Sequence, residues 1–155
     1  MEVRGGGPAP RAVLFACTMN VIRSPMAAAI LRHLAGQRFY VESAGVRAGE
    51  GDPFVEAVMN EIGIDVSRHR PQTLSDLNDT SFDLIITLSP EAHHHGVEMT
   101  RVTPAKVEYW PTPDATVLLE SAGREEVLAA YRDVRDSLFQ RIKARFLPQA
   151  GGPSV

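Results

Sequence analysis

The sequence predicts an α/β fold: a single-domain three-layer sandwich, with a four-stranded parallel sheet covered by helices on both faces. Three observations predict it. Short apolar runs of strand length alternate with segments of helical periodicity along the chain. The run Phe82-Asp83-Leu84-Ile85-Ile86-Thr87-Leu88 is almost continuously apolar, which suits a central strand buried on both faces. A chain of 155 residues with 44% hydrophobic and 23% charged side chains suits one domain with a full core. Alternation implies right-handed crossovers, and such sheets bind ligands beyond the carboxyl ends of their strands.

The elements follow in order. Residues 1–10 are rich in Gly and Pro and predict a disordered lead, and residues 148–155 a similar tail, leaving a domain of 11–147. Arg11–Ala16 is the first strand. Pro25–Ala35 is helical: Pro25 fits a first turn, Ala27 to Ala29 favour helix, and Ile30, Leu31 and Leu34 form an apolar face. Phe39–Ala44 is a second strand. Asp52-Pro53 reads as a cap and first helical residue, and Val55, Val58, Met59 and Ile62 keep helical spacing up to Gly63, a C-terminal stop. Thr73–Leu77 is a short helical turn. Ser89-Pro90-Glu91 starts the helix after the central strand, and Lys106–Trp110 is the last strand. The proline-spaced segment 111–116 reads as a rigid loop that is neither helix nor central strand. Ser121 caps a final helix from about Gly123 to Phe146, with Val127, Tyr131, Val134, Leu138 and Ile142 as its buried stripe.

Chemistry concentrates where the first strand meets the first helix. Cys17, the only cysteine, opens a loop that closes at Arg23 after five intervening residues, followed by Ser24-Pro25. A loop entering a helix leaves its first amides without intrahelical partners, so the N–H groups of Thr18 to Arg23 can surround one tetrahedral oxyanion. The helix dipole adds positive potential there, which favours the nucleophilic thiolate form of Cys17. Arg23 offers a planar fork for two oxygens of a transferring group, and Ser24 a hydroxyl for the sulfur. The phosphate-binding candidates are therefore Thr18, Met19, Asn20, Val21, Ile22, Arg23 and Ser24. A thiolate attacking phosphorus forms a phosphocysteine, which water hydrolyses. A lone cysteine after an apolar strand also reads as a small buried residue. The Ser-Pro helix start and the alanine-rich helix beyond favour the cradle.

On these residues the chain resembles the low-molecular-weight protein tyrosine phosphatase family, which includes arsenate reductases of the same fold. The family loop reads Cys-x-Gly-Asn-x-Cys-Arg-Ser-Pro. Cys17, Asn20, Arg23, Ser24 and Pro25 match it, whereas Met19 stands where glycine is usual and Ile22 where a second cysteine is common. The resemblance runs from about Arg11 to Phe146. It implies that Ser43, in Ser43-Ala44-Gly45, braces the loop asparagine. It also implies that His69, in the segment 64–70, joins Asn20 and Ser43 in a network behind the loop; an exposed loop histidine is the other reading. In the family an aspartate after the last strand protonates the departing oxygen and then activates water. Asp114 is the matching position, with Ala115 in place of the usual proline. Asp114 also reads as a plain turn residue after Pro113, but strand register brings it to the same edge as Cys17. Thr116, Val117 and Leu118 follow where animal-type members carry tyrosines, so this segment supplies no aromatic wall.

The resemblance implies a phosphatase acting on phosphotyrosine or small aryl phosphates through a cysteinyl-phosphate, with Cys17, Arg23 and Asp114 as its catalytic set. No cofactor and no metal are called for. Its expected partners are a phosphorylated protein or small phosphate ester, with inorganic phosphate or other oxyanions as product or inhibitor. Two alternatives stand beside it. One is a glutathione/glutaredoxin-type arsenate reductase, since a relay through further internal cysteines is excluded by counting. The other is a non-catalytic oxyanion-binding module. Net charge of -3 argues against broad nucleic-acid or anionic-membrane binding. One cysteine rules out an internal disulfide and a cysteine zinc cluster. His93-His94-His95 point about 100° apart on a helix, so they cannot share one metal and predict a solvated face. No apolar run approaches the roughly 18 residues of a membrane span, and a reducing cytoplasmic setting is expected.

Overall fold

The computed structural model describes residues 11–78, 81–119 and 122–147. The expected lead, the tail and Ser121 lie outside the described residues. Strands β1 (Ala12–Cys17), β2 (Tyr40–Gly45), β3 (Leu84–Thr87) and β4 (Lys106–Tyr109) form one four-stranded sheet, ordered β2-β1-β3-β4. Every pairing is parallel, as the alternation requires. The α-helices are α1 (Arg23–Ala35), α2 (Pro53–Asn60), α3 (Pro90–Met99) and α4 (Arg124–Phe146).

Alternating side chains of β1 divide the interior. Val13 and Phe15 enter the larger core with Met26, Ile30, Met59, Tyr131 and Ile142 from α1, α2 and α4. Leu14 enters a smaller core with Phe82, Ile85 and Ala105, against which Met99 at the end of α3 packs. The sheet is thus covered on both faces, which explains why its central strands are apolar throughout. All five expected stripe residues of α4 are buried.

The start signals act as read for α2 and α3. Asp52 accepts from the Phe54 amide, and Ser89 from the Ala92 amide. Three expectations need correction. The first helix begins at Arg23, so Pro25 lies within its first turn. Helix α2 stops at Asn60, and Gly63 at φ 78° follows it in a closing turn. Segment 111–116 is not loop throughout: Ala115–Leu118 form a short 3-10 turn, because the Asp114 carboxylate accepts from the Thr116 amide and starts it. The α4 start is held by Glu126, whose carboxylate accepts from the Gly123 amide.

The histidine face is also drier than expected. His94 and His95 are exposed, but His93 is half-buried. Its ring stacks on Tyr109 at 4.5 Å between centroids, and Nδ1 lies 2.9 Å from the Thr87 hydroxyl. Thr87 is fully buried on β3 and needs a polar partner there. Among the described residues no group of three or more His, Cys, Asp or Glu is arranged to hold a metal. No described helix is long and apolar enough to cross a membrane.

Register determines where the chemistry lies. Cys17 is opposite Gly45, Ala16 opposite Thr87, and Thr87 opposite Tyr109. The four strands therefore end together, and the segments after them share one edge of the sheet.

Candidate active site

Strand β1 delivers Cys17 to the foot of α1. The side chain is 2% exposed, yet the sulfur faces polar groups. Sγ lies 3.0 Å from the Ser24 hydroxyl, and the Ser24 amide donates to it at 3.4 Å. Ser24 Oγ also accepts from the Asn20 side-chain amide at 2.9 Å. That bond leaves the hydroxyl hydrogen free to point at the sulfur.

The loop reverses at Asn20, which has φ 58° and is the sole non-glycine residue with positive φ among those described. Asparagine tolerates this region better than most residues. Tertiary contacts then hold it. Its Nδ2 donates to Ser43 Oγ as well as to Ser24, and its Oδ1 accepts from the Gln72 amide, each at 2.9 Å. His69 Nε2 lies 2.8 Å from the Asn20 carbonyl. A carbonyl only accepts, so Nε2 carries the hydrogen. Burial lowers the proton affinity of His69, and the charges of Arg32 and Arg70 add to this against the opposing pull of the Asn20 carbonyl.

On the outer side the loop is laced to the segment after β2. Val46, Arg47 and Gly49 amides donate to the carbonyls of Cys17, Thr18 and Met19 at 3.1, 2.8 and 2.9 Å. Gly45 makes this approach possible. A Cβ there would lie 2.5 Å from the Arg47 carbonyl and 2.7 Å from the Asn20 amide nitrogen. Thr18 Oγ1 donates to Ser89 Oγ at 2.9 Å, and Arg47 grips Glu91 through two bonds of 2.8 and 2.9 Å. Both contacts tie the rim to the start of α3.

The α1 terminus differs from the others. Ile22 precedes it, with no side-chain cap and no acid in the first turn. Each of α2, α3 and α4 has an acidic residue in its first turn and a side chain bonded at its start. In its first turn the Ser24 amide turns to Cys17 Sγ, the Met26 amide bonds the Ile22 carbonyl and Pro25 has no N–H, so no side chain offsets the positive end of the helix dipole. Arg23 at its head donates to the Thr112 carbonyl at 3.0 Å, which anchors it to the segment after β4.

Asp114 lies on that same segment, exposed, with Oδ1 accepting from the Thr116 amide at 2.9 Å and the Thr116 hydroxyl at 2.6 Å. Burial pushes its proton affinity up, but the two Thr116 bonds and the charge of Arg23 outweigh it and hold the carboxyl below its ordinary range. The structure therefore joins Cys17, Ser24, Asn20, Ser43 and His69 in one connected network. Arg23 and Asp114 meet instead at the segment after β4, where Arg23 bonds Thr112 and its charge reaches Asp114, and Met19 is 39% exposed.

The low-molecular-weight phosphotyrosine protein phosphatase family model matches residues 12–143. The chain belongs to that family. Within it, an arsenate reductase of Halalkalibacterium halodurans is 32% identical over 136 residues, which are 86% of this chain and 93% of that protein. Among solved structures, an arsenate reductase from Archaeoglobus fulgidus aligns with a TM-score of 0.64 and 29% identity, covering 86% of this chain and 97% of that one. A low-molecular-weight protein tyrosine phosphatase from T. tengcongensis aligns with a TM-score of 0.67 and 26% identity, covering 86% and 95%. The fold of this family thus carries both names.

Several residues at the site escaped sequence reasoning. Gln72 holds Asn20 by its backbone and the Ser43 carbonyl by its side chain at 2.9 Å. Thr112 contributes only a carbonyl, and from sequence Ser89 reads as a helix cap, not as a partner of Thr18. Gly45, opposite Cys17, was the one with a visible signal, since glycine at a strand end marks a close approach. Of three aromatic residues outside the segment after Asp114, Trp110 is buried. Tyr40 stacks on Phe82 at the start of β2, the far end of the sheet from Cys17. Phe54 packs on Tyr131 beneath Arg124.

Proposed function

We propose that this chain is a cysteine enzyme whose Cys17 attacks a tetrahedral oxyanion seated on the uncapped start of α1, and that its reaction is arsenate reduction completed by an external thiol. The oxyanion chemistry rests on the sulfur lying 3.0 Å from the Ser24 hydroxyl at that helix start. The choice of arsenate rests on the 32% identity to a protein named arsenate reductase along nearly its whole length. Arsenate also needs no ring-binding wall, and the residues after Asp114 are Ala115, Thr116 and Val117, none of them aromatic.

The steps follow from atoms and electrons. The Cys17 thiolate bonds to arsenic and a hydroxide leaves as water after protonation, with Arg23 and the loop amides holding the remaining oxygens. Reduction of As(V) needs two electrons. With one cysteine in the chain, they come from outside. An external thiol attacks Cys17 Sγ, the S–As bond breaks with its pair going to arsenic, and arsenite departs. A second thiol frees Cys17 from the mixed disulfide and leaves as an external disulfide.

Phosphomonoester hydrolysis is the second reading, favoured by Asp114. The carboxylate lies close enough to Arg23 to feel its charge and stands on the edge where a leaving group would emerge. In the resting protein it is ionised, the form that activates water. A dianion in the cradle would raise its proton affinity toward the acid role.

Both readings make Cys17 the nucleophile and part at the second step. Incubation with arsenate and glutathione is expected to release arsenite in proportion to thiol, with none from Cys17→Ser. Hydrolysis of p-nitrophenyl phosphate without thiol-dependent arsenite would transfer the assignment to the phosphatase reading. In that case Asp114→Asn should slow esters with poor leaving groups by about 10²-fold or more. An arsenite yield unchanged in Cys17→Ser rejects the reduction as drawn.

A further inference from the structure

A cavity of about 340 Å³ opens behind the Cys17 loop, between α1, β2 and the segment 65–72. Three arginines line it: Arg32, Arg68 and Arg70. Among the described residues none of them is in an ion pair, whereas Arg47, Arg101, Arg132, Arg135 and Arg145 each hold a carboxylate. Arg32 donates to the Val41 carbonyl at 2.6 Å and Arg70 to the His69 carbonyl at 3.2 Å, so their charge is not neutralised by these bonds. Carboxylates are present in the same wall but turned to other partners. Glu42 accepts from Tyr40 at 3.2 Å and from Gln72 at 3.4 Å, and Asp65 accepts from the Ser67 amide at 2.9 Å.

In a chain with net charge of -3, three guanidiniums in no ion pair outnumber the two carboxylates of the same wall, of which Asp65 feels the charge of Arg68, and leave one concavity locally positive. The volume exceeds what a single inorganic phosphate needs and matches the lower range of small-molecule sites. We propose that this rear cavity binds a small polyanion bearing phosphate or carboxylate groups, held by Arg32, Arg68 and Arg70 against His69. The site is separate from the Cys17 cradle and does not depend on which oxyanion that cradle transforms.

Its position gives it a measurable effect. His69 lines the cavity and holds the Asn20 carbonyl of the cradle loop. The charged groups that line a cavity with His69 are Arg32 from α1, Glu42 from β2, Asp65, Arg68 and Arg70 from its own segment, Asp52 before α2 and Glu56 within it. Arg32 and Arg70 oppose the imidazolium. A bound polyanion cancels that opposition, and the midpoint of His69 titration moves up.

The test is an NMR titration of the His69 ring with and without about 10 mM inorganic pyrophosphate, and separately citrate. The parent protein, Arg23→Ala and the double variant Arg68→Gln/Arg70→Gln are compared. Either anion should raise the His69 midpoint by at least about half a pH unit, a three-fold gain in proton affinity. The rise should persist in Arg23→Ala, whose cradle is impaired, and vanish in the double variant. Pyrophosphate alone or citrate alone acting would tell a phosphate site from a carboxylate one. The proposal is overturned if neither anion moves the midpoint, if the double variant responds like the parent, or if Arg23→Ala abolishes the response. Arg68 and Arg70 are exposed, so their loss leaves the fold standing, and Arg68→Gln alone should give an intermediate rise.

Discussion

Asn20 spends backbone strain on curvature, and its side chain recovers that energy through three bonds. At φ 58° an ordinary L-residue pays roughly 1–2 kcal/mol. Its amide meets Ser24, Ser43 and the Gln72 backbone at once. Two substitutions separate these effects. Asn20→Gly keeps access to positive φ but leaves buried hydroxyls and an amide short of partners, and is expected to lower unfolding free energy by about 1–3 kcal/mol. Asn20→Ala loses the same bonds and adds strain, so its denaturation midpoint should fall further by about 1 kcal/mol or more. Equal midpoints for the two variants would show that the backbone at Asn20 is not strained. Both should also slow alkylation of Cys17 by iodoacetamide, since Ser24 loses the donor that orients its hydroxyl toward sulfur.

At the scale of elements, the four α-helices divide by how they begin. Helix α2 has Asp52, which serves twice: Oδ1 caps the helix through the Phe54 amide and Oδ2 accepts from the Tyr131 hydroxyl of α4 at 2.6 Å. Burial raises the proton affinity of that phenol, and the Asp52 bond raises it further. Tyr131→Phe removes one hydrogen bond and should cost about 1 kcal/mol. Asp52→Ala removes the cap as well and strands a buried hydroxyl, for a combined loss of about 2–4 kcal/mol. Thermal melts of the two variants order these costs, and a Tyr131→Phe loss equal to that of Asp52→Ala would remove the cap from the account. Helix α1 has no such device. Its stability comes from packing on β1, β2 and α4, with Met26, Ala27, Ile30 and Leu31 buried. Packing thus lets its first turn do without a side-chain cap.

In the whole molecule, Asp52 ties the start of α2 to α4, and a second carboxylate, Glu61, ties its far end to the same helix. Glu61 accepts from Arg132 and from Arg135 at 2.8 Å each, and Arg135 also donates to the Val58 carbonyl. The Arg132 bond, then the Arg135 bond, hold Glu61 at a pKa of about 2. A folded value below the unfolded one stabilises above the unfolded value of about 4.5, and that stabilisation is lost as pH falls toward 2. Glu61→Gln should therefore melt below the parent at pH 7, and the two curves should converge between pH 4.5 and about 2. A gap that stays constant across that window would remove Glu61 from the acid response.

The sequence by itself determined the parts whose causes are local. Helix starts at Asp52-Pro53 and Ser89-Pro90 were legible because a cap and its amide are neighbours in the chain. The parallel sheet was legible from alternation, and the meeting of Cys17 with Ser24 from their places on either side of one strand-to-helix junction. Tertiary structure alone decided what crosses long separations. Gln72 and Thr112 act at the site through backbone groups, which nearly every residue possesses and no residue type announces. His69 reads two ways, solvent or network, and only the fold brings it to Asn20; His93 is drawn from the solvated face by the Thr87 hydroxyl and the Tyr109 ring, which lie on β3 and β4. The state of Asp114 depended on Thr116 and Arg23 meeting it in space. Local sequence chooses which groups a segment offers; only the folded register decides which of them end at the same edge of the sheet.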